Sequence, residues 1–212
     1  MSAGRDQLRE ARLYGILDLG YVAEERLEPV ARALLAGGVG ILQLRAKGYT
    51  EEDILAMARR VAPFCREAGV PFIVNDYPRV AVEAGADGVH LGQDDGSLAE
   101  ARAVVGDDAL VGRSTHSPEQ AAAARDEGFD YIGFGPLFPT PTKEGRPSVG
   151  LQDIAEVEER VGAHIPVFCI GGIKLGNLPE VLQAGARRVV IVSGLLQAED
   201  ITARGLEVCA AL

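Results

Sequence analysis

Short apolar segments alternate with longer amphipathic segments along the whole chain. The apolar segments are rich in Val and Ile and become polar only toward their C-terminal ends, which is typical of parallel strands covered on both faces. Eight such strands are predicted, at residues 13–17, 40–45, 71–76, 88–92, 110–114, 131–136, 166–171 and 189–193. Helical periodicity between them predicts helices that include residues 24–36, 50–68, 118–127 and 178–184.

Local signals mark the ends of several helices. Thr50 with Asp53 forms a capping box, and Ser117 followed by Pro118 is an N-cap with proline at the first helical position. The helices before the second, fourth, sixth and eighth strands each end in a glycine, at 36–37, 84–85, 127–128 and 184–185. A left-handed glycine commonly closes a helix. The recurrence indicates a repeated two-strand unit.

Strands and helices alternate along the chain without a linker or a change in composition. This pattern favours a single α/β domain that spans residues 1–212, a parallel (β/α)8 TIM barrel. A doubly wound open sheet is the alternative, but that fold usually places a glycine fingerprint after its first strand. Here the first strand ends in Leu17-Asp18-Leu19-Gly20, which lacks the fingerprint.

The composition is that of a globular protein with a large core and an acidic surface. Hydrophobic residues make up 47%, and 21 Lys and Arg stand against 31 Asp and Glu, for a formal net charge of −10. This charge predicts no nucleic-acid partner and no membrane partner. A local cluster of cations is then informative, because it needs an anionic ligand to justify it.

The cysteines and the absence of long apolar segments predict the compartment. Cys65, Cys169 and Cys209 have no metal-binding spacing, so we expect buried free thiols in a reducing environment. Residues 1–10 are charged, and no segment reaches the roughly 18 apolar residues of a membrane span. We therefore expect a cytoplasmic protein, and the apolar helix faces leave a homo-oligomer open.

The second predicted strand ends in alternating polar and apolar residues. Successive side chains on a strand point to opposite faces, so Gln43, Arg45 and Lys47 lie on one face and Leu44 and Ala46 on the other. An amide and two cations would be costly to bury without partners. The pattern favours an anionic ligand, unless this is an edge strand with a hydrated face.

Carboxylates follow the third and fourth strands, at Asn75-Asp76 and Asp94-Asp95. Neighbouring strands lie about 5 Å apart, so these groups can converge on one cation. A sparse pair of carboxylates suits Mg²⁺, which takes its other ligands from water and substrate phosphates. The alternative is that both pairs are helix caps or turn residues.

The fifth strand is followed by hydroxyls and a histidine. Ser114 can contact a phosphate, whereas Ser117 is the next N-cap. His116 is a candidate catalytic base, although a structural role is the more common one. We expect His90 to be a satisfied core residue and His164 to be exposed.

The later loops carry further anion-binding groups. After the sixth strand, Thr140, Thr142 and Lys143 stand among prolines in a stiff array of donors. The seventh and eighth strands end in Gly171-Gly172 and Val192-Ser193-Gly194, where backbone N–H groups of this fold often bind phosphate. The alternative for the first of these loops is a plain connection with an exposed lysine.

Six motifs stand in the order and spacing of one family, at residues 43–47, 74–76, 89–95, 114–116, 138–143 and 170–173. On these motifs the chain resembles the thiamine-phosphate synthase family along nearly its whole length. The resemblance implies a transferase that joins 4-amino-2-methyl-5-hydroxymethylpyrimidine diphosphate to a thiazole phosphate, carboxylated or plain, with release of thiamine phosphate and pyrophosphate. An Mg²⁺-assisted, SN1-like path suits this chemistry, and it requires no enzyme nucleophile.

The resemblance also implies roles for the matching residues. Those implied to be catalytic are Arg45, Lys47 and Lys143. Those that would contact the pyrimidine diphosphate are Gln43, Leu44, Arg45, Ala46, Lys47, Asn75, Ser114 and Lys143. Those that would contact the thiazole phosphate are Thr140, Pro141, Thr142, Gly172, Val192 and Ser193. Asp76 and Asp95 would hold Mg²⁺.

The chain departs from the family in its first strand, where Leu17 replaces the threonine that usually precedes the aspartate. Two other functions are alternatives. A related thiazole tautomerase carries a histidine in the loop after strand six, where Pro136 stands here. A non-catalytic sensor of thiamine phosphate would not need the pair Asp76 and Asp95.

Overall fold

Eight parallel strands close into a barrel in the computed structural model, which describes residues 3–139 and 148–212. The strands follow one another in sequence order, and β8 pairs with β1. Their bounds are β1 Leu13–Asp18, β2 Ile41–Arg45, β3 Phe72–Asn75, β4 Gly88–Leu91, β5 Leu110–Thr115, β6 Tyr131–Phe134, β7 Val167–Ile170 and β8 Val189–Ile191. The predicted TIM barrel is confirmed.

Helices surround the barrel. They are α1 Ala3–Glu10, α2 Leu27–Ala36, α3 Glu51–Ala68, α4 Pro78–Ala84, α5 Leu98–Val105, α6 Pro118–Glu127, α7 Ile154–Val157, α8 Leu178–Gln183, α9 Ser193–Leu196 and α10 Ile201–Ala211. A 3-10 turn at Glu24–Arg26 precedes α2, so the helix predicted at 24–36 is helical in two parts, and a π-helical segment at Glu158–Gly162 follows α7. Among the described residues, no helix is both long and apolar enough to cross a membrane.

The predicted caps form at the starts of α3 and α6. Thr50 Oγ1 accepts a hydrogen bond from the Asp53 amide at 3.2 Å, while the Asp53 carboxylate accepts one from the Thr50 amide at 3.3 Å. Ser117 Oγ accepts from the amide of Gln120 at 3.3 Å, with Pro118 at the first helical position. These bonds satisfy amides that a helix leaves without intrahelical partners.

The glycine prediction holds for three helices and is wrong by one residue for α2. Gly85, Gly128 and Gly185 have φ values of 67°, 96° and 109°, in the left-handed region. Gly37 instead has a φ of −76° and continues the helical hydrogen bonding to Ala33 O at 2.9 Å. The left-handed residue is therefore Gly38, with a φ of 88°.

Two layers of buried side chains hold the barrel. The outer layer packs the strands against the helices, and the inner layer fills the lumen. In the inner layer, Tyr14, Tyr131 and Phe168 meet in tilted or edge-to-face contacts, with ring centroids 5.3 to 5.9 Å apart. These rings come from the first half of their strands, so they form a floor beneath the strand ends.

The three cysteines are free thiols. Cys65 and Cys169 are buried, as predicted, whereas Cys209 on α10 is only half-buried and its Sγ lies 3.4 Å from the carbonyl oxygen of Gly38. Burial raises the pKa of the Cys65 thiol to about 12, so this thiol stays protonated at neutral pH.

Candidate active site

Three adjoining cavities lie at the C-terminal ends of the strands. The lining of the first, here the polar cavity, includes Arg45, Lys47, Asn75, Asp76, Asp95 and Ser114. The second, the lumen cavity, includes Tyr14, Gln43, Arg45, His90, Ser114 and Phe168. The third, the apolar cavity, includes Ser114, Pro136, Ile170, Gly172, Val192 and Ser193. Ser114 belongs to all three, so a ligand at the strand ends can reach each of them.

A buried ion pair fixes Arg45. Asp18 lies opposite Arg45 at the ends of β1 and β2, and its side chain is only 1% exposed. Arg45 Nη1 donates to Asp18 Oδ2 at 2.8 Å, and the amide of Gly20 donates to Asp18 Oδ1 at 2.9 Å. A guanidinium has five N–H groups, so Arg45 keeps donors for a ligand while Asp18 sets its orientation. The sequence prediction missed Asp18, although a charged residue that ends an apolar strand is a usable signal.

Asp76 stands in an unusual backbone conformation. Its φ is 67°, and it is the one non-glycine residue with a positive φ among residues 3–139 and 148–212. Asn75 Nδ2 donates to Asp76 Oδ2 at 2.6 Å, and Lys47 Nζ forms an ion pair with the same oxygen. Aspartate tolerates this conformation better than most residues, but it still costs free energy. Such strain is commonest at functional sites.

Asp76 and Asp95 face each other at the edge of the polar cavity. Burial raises the pKa of the Asp76 carboxyl, and the nearby Asp95 adds to this effect against the opposing charge of Lys47. Although partial burial alone would raise it, the pKa of Asp95 is lowered, because its carboxylate accepts hydrogen bonds from Asp76 and from the Gly92 amide. Two carboxylates this close together repel each other when both are ionised, and a bound cation would relieve that repulsion.

The donor set at this point is sparse. In the described parts of the chain, no three His, Cys, Asp or Glu side chains converge as a metal site would require. A cation at Asp76 and Asp95 would thus have two carboxylates and take its other ligands from water or substrate. Mg²⁺ tolerates this arrangement, whereas Zn²⁺ and Ca²⁺ usually bind more protein ligands.

The loop that carries Asp95 is held by Arg113 from outside it and by Asp95 itself. Arg113 Nη1 and Nη2 donate to the carbonyls of Gly96 and Gln93 at 2.7 and 3.1 Å. Asp95 Oδ2 also accepts from the Gly92 amide at 2.8 Å. Asp95 is therefore a turn residue, as the alternative interpretation predicted, because its carboxylate accepts a hydrogen bond within its own loop. Neither aspartate caps a helix, since α5 is capped by Ser97 and the N-cap position of α4 is Tyr77.

The lumen cavity contains a series of hydrogen-bonded polar groups. Gln43 Nε2 donates to the Tyr14 hydroxyl at 2.7 Å, and this hydroxyl lies 3.1 Å from that of Tyr131. His90 Nδ1 lies 3.2 Å from the Tyr131 hydroxyl, and its Nε2 lies 3.0 Å from Ser114 Oγ. His90 is a hydrogen-bonded residue of the barrel interior, as predicted. The sequence prediction gave no role to Tyr14 or Tyr131, since both occupy apolar positions of the strand pattern.

The apolar cavity lies between the loops after β6, β7 and β8. Gly172 has a φ of 69°, and a Cβ there would lie 2.7 Å from Phe138 Cβ, so only glycine lets the two loops approach this closely. His116 Nδ1 lies 2.5 Å from the carbonyl oxygen of Gly135, which holds the ring between the polar and apolar cavities. Val192 and Ser193 follow β8 and also line this cavity.

The remaining predicted residues fall in different places. Leu44 and Ala46 are buried in the outer layer, on the opposite face from Gln43, so ligand contacts by these two would have to come from their backbone. His164 is exposed, as predicted. Outside the described residues lie Thr140, Pro141, Thr142 and Lys143.

Comparisons with known proteins agree on one family. A family model described as thiamine monophosphate synthase matches residues 13–195. The chain is 49% identical over 181 residues to a thiamine-phosphate synthase of Thermus thermophilus, a match that covers 85% of this chain and 86% of that protein. It is 46% identical over 200 residues to one of Streptomyces avermitilis, with coverage of 92% and 91%. The structure of a thiamine phosphate pyrophosphorylase from Pyrococcus furiosus matches with a TM-score of 0.84 and 31% identity, over 97% of this chain and 96% of that one.

Proposed function

The chain belongs to the thiamine monophosphate synthase family and is a transferase, and we propose that it joins the pyrimidine diphosphate to the thiazole phosphate by Mg²⁺-assisted, SN1-like alkyl transfer. The observation that carries the proposal is the adjacency of two unlike cavities. One holds cations and paired carboxylates, and the other is apolar and rich in glycine. They meet at Ser114, where the reacting atoms of two substrates can come together.

The polar cavity suits the diphosphate. Arg45 is pre-oriented by Asp18, and Lys47 projects from the next polar position of the same face. Asn75 on β3 and Ser114 on β5 supply neutral donors. Charge-assisted hydrogen bonds from Arg and Lys to phosphate oxygens are among the strongest available in proteins. Lys143, which lies outside the described residues, is proposed as a third cation.

Asp76 and Asp95 are the residues that would hold Mg²⁺. They fit because the two carboxyls line the same cavity, are partly buried and interact electrostatically with each other. When bound, Mg²⁺ would supply charge stabilisation on the phosphate oxygens. Lys47 already contacts Asp76, so this lysine stands beside the proposed metal ligands and can bind the same diphosphate.

The reaction needs charge stabilisation more than it needs a nucleophile. The bond between the pyrimidine methylene carbon and the diphosphate oxygen breaks, and its electron pair leaves with pyrophosphate. The electron-rich aminopyrimidine stabilises the carbocation that remains. The thiazole nitrogen then donates its lone pair to form the new C–N bond. Arg45 and Lys47 offset the negative charge that develops on the leaving oxygen.

The apolar cavity suits the thiazole phosphate. Its walls offer apolar surface to the ring at Pro136 and Ile170, and Gly172 and Ser193 lie where a phosphate can approach the backbone. Glycine at position 172 leaves no side chain to obstruct that approach. Thr140, Pro141 and Thr142 are proposed as further contacts on the ring side.

The predicted cytoplasmic location, and the prediction that neither nucleic acid nor membrane is a partner, stay predictions.

The direct test is the formation of thiamine phosphate from both precursors with and without Mg²⁺. We expect product and pyrophosphate only when the metal is present. Lys47→Ala should lower turnover by about 10²- to 10³-fold, the range seen when one donor to a developing negative charge is removed. Arg204→Ala is the matched control, because Arg204 pairs with Glu207 on the surface of α10.

Metal binding can be measured separately from turnover. Asp76→Asn should weaken Mn²⁺ binding, followed by electron paramagnetic resonance, while Arg204→Ala leaves it unchanged. Wild-type turnover in Lys47→Ala, or product formation that does not depend on divalent metal, would contradict the proposal. Thermal unfolding of each variant verifies that the barrel is intact.

A further inference from the structure

Five polar side chains form a hydrogen-bonded series through the barrel lumen, here called the lumen chain. In order they are Gln43, Tyr14, Tyr131, His90 and Ser114. They come from five different strands, so the series connects side chains that are distant in sequence. Its two ends, Gln43 and Ser114, both line the lumen cavity. Tyr131 is the middle member, and it is fully buried.

The bonds of the lumen chain are compatible with one common direction, which starts at Gln43. Gln43 Nε2 donates to the Tyr14 oxygen, and in this direction the Tyr14 hydroxyl would donate to that of Tyr131, 3.1 Å away. The Tyr131 hydroxyl would in turn donate to His90 Nδ1 at 3.2 Å. A neutral imidazole carries one N–H, which would then be on Nε2 and donate to Ser114 Oγ at 3.0 Å. Ser114 would keep its own hydroxyl proton for a ligand.

Both phenols stay protonated in this environment. Burial raises the pKa of Tyr14 and of Tyr131, so each remains an O–H that donates one hydrogen bond and accepts another. The packing fixes where those hydroxyls lie, because Phe168 makes edge-to-face contacts with both rings. The direction at one end of the chain is thereby coupled to the direction at the other.

We propose that Tyr131 is a positioning residue, and that the lumen chain makes Gln43 an acceptor and Ser114 a donor toward the pyrimidine diphosphate. One N–H of the Gln43 amide is bonded to Tyr14, which holds the amide in one orientation. Its carbonyl oxygen is then the acceptor that matches the exocyclic amine of an aminopyrimidine. The donor on Ser114 matches a phosphate oxygen. Reversal of the chain would present a donor to the amine and an acceptor to the phosphate, and both contacts would be lost. This inference rests on the proposed function.

Tyr131→Phe tests the inference, because it keeps the ring and removes the hydroxyl that joins the two halves of the chain. Each lost hydrogen bond is worth about 1 kcal/mol. We expect the KM for the pyrimidine diphosphate to rise about tenfold, with the KM for the thiazole phosphate unchanged, since about 1.4 kcal/mol is a factor of ten. An equal change in both constants would indicate a structural role and overturn the proposal, as would no change in either.

Selectivity supplies a second readout. The wild type should prefer the 4-amino pyrimidine diphosphate over its 4-oxo analogue, in which an acceptor replaces the amine donor. Tyr131→Phe should reduce this preference by about tenfold, because Gln43 is then free to rotate its amide. An unchanged preference would overturn the proposal. Phe72→Leu is the control, since Phe72 is an equally buried aromatic residue in the outer layer, and this change should lower stability without altering the preference.

A measurement that requires no turnover separates this inference from the proposed function. The ¹⁵N chemical shifts of the His90 ring in the wild type should report a proton on Nε2, and Tyr131→Phe should produce a mixture of tautomers. A proton on Nδ1 in the wild type would overturn the proposed direction even if thiamine phosphate is formed. If the Nε2 tautomer is found but no thiamine phosphate forms, the proposed function fails and the direction of the chain stands.

Discussion

A methyl group at Gly112 should disrupt the lumen chain from the side. Gly112 on β5 lies between His90 on β4 and Tyr131 on β6 in the strand register. A Cβ at this position would lie 2.2 Å from Tyr131 Cζ and 2.6 Å from His90 Nδ1. The φ of Gly112 is outside the left-handed region, so the backbone itself accommodates alanine. Gly112→Ala therefore isolates the steric effect on the two rings.

The expected loss of stability follows from these distances. Carbon atoms in contact are about 3.5 Å apart at the closest favourable separation, so the Tyr131 ring must move by roughly 1.3 Å. Overpacking of this kind costs about 1 to 3 kcal/mol. Displacement of the Tyr131 hydroxyl also weakens two hydrogen bonds, each worth about 1 kcal/mol. The free energy of unfolding should fall by about 2 to 5 kcal/mol in total, a large fraction of the roughly 5 to 15 kcal/mol of a typical domain.

Urea unfolding followed by circular dichroism measures this loss. Gly4→Ala is the control, because a Cβ on Gly4 in helix α1 would meet nothing closer than Leu110 Cδ1 at 3.9 Å. It should leave stability unchanged or raise it by about 0.5 kcal/mol. Replacement of Tyr131 by leucine in the Gly112→Ala background removes the clashing ring atoms, so the combined loss should be smaller than the sum by more than about 1 kcal/mol. Wild-type stability in Gly112→Ala, or strict additivity in the double variant, would refute the reasoning.

The other two predictions concern buried carboxylates. Asp18→Asn keeps an acceptor for the Gly20 amide but removes the charge that orients Arg45. It should lower the free energy of unfolding by about 1 to 3 kcal/mol and raise the KM for the pyrimidine diphosphate. A KM that stays at the wild-type value would show that Arg45 does not need the Asp18 carboxylate to bind this substrate. Glu158 is buried, which raises its pKa above the ordinary 4.5 against the opposing charges of Arg187 and Arg188. The folded state therefore retains a proton that the unfolded state has lost, and this contribution to stability falls as pH rises from about 4.5 through the folded pKa. Glu158→Gln should unfold at a higher temperature than the wild type near pH 8 and lose that advantage near about pH 4; parallel curves of unfolding temperature against pH would contradict the assignment.

The strands could be predicted from the sequence because their signal is local. Segments such as Leu13–Asp18 and Tyr131–Phe134 are mostly apolar, and they are buried along their whole length. The end of α2 was less accurate, since Gly37 and Gly38 are adjacent and only the helix geometry decides which one is left-handed. A local signal locates an element, but it does not choose between two equivalent neighbours.

The side of the barrel that carries the site could also be predicted, because polar residues gather at the strand ends. The pairing of those residues could not. Whether Arg45 meets Asp18, and whether Lys47 meets Asp76, depends on the register between strands and on the conformation of the following residues. Register is a long-range property, so a list of polar positions does not determine it.

Tyr14 and Tyr131 escaped prediction for a different reason. Their positions in β1 and β6 read as apolar, and their rings do pack as core residues against Phe168. Only the hydroxyls give them a polar role, through contacts between β1, β4 and β6 that no local pattern records. Aromatic residues with a polar tip are therefore ambiguous in a pattern of hydrophobic and polar positions.

Charged and uncharged side chains of the candidate site lie at different depths in the barrel. The lysine at the mouth, Lys47, is half exposed, whereas Gln43 and Tyr131 deeper in the lumen are almost fully buried. Burial of an ion costs several kcal/mol unless it is well paired, while a hydrogen-bonded neutral group costs far less. We therefore expect the proposed diphosphate to bind near the strand ends, where Asp18 and Asp76 accompany the cations. We expect the neutral pyrimidine ring to bind below them, where aromatic packing holds the hydrogen-bonding groups in place.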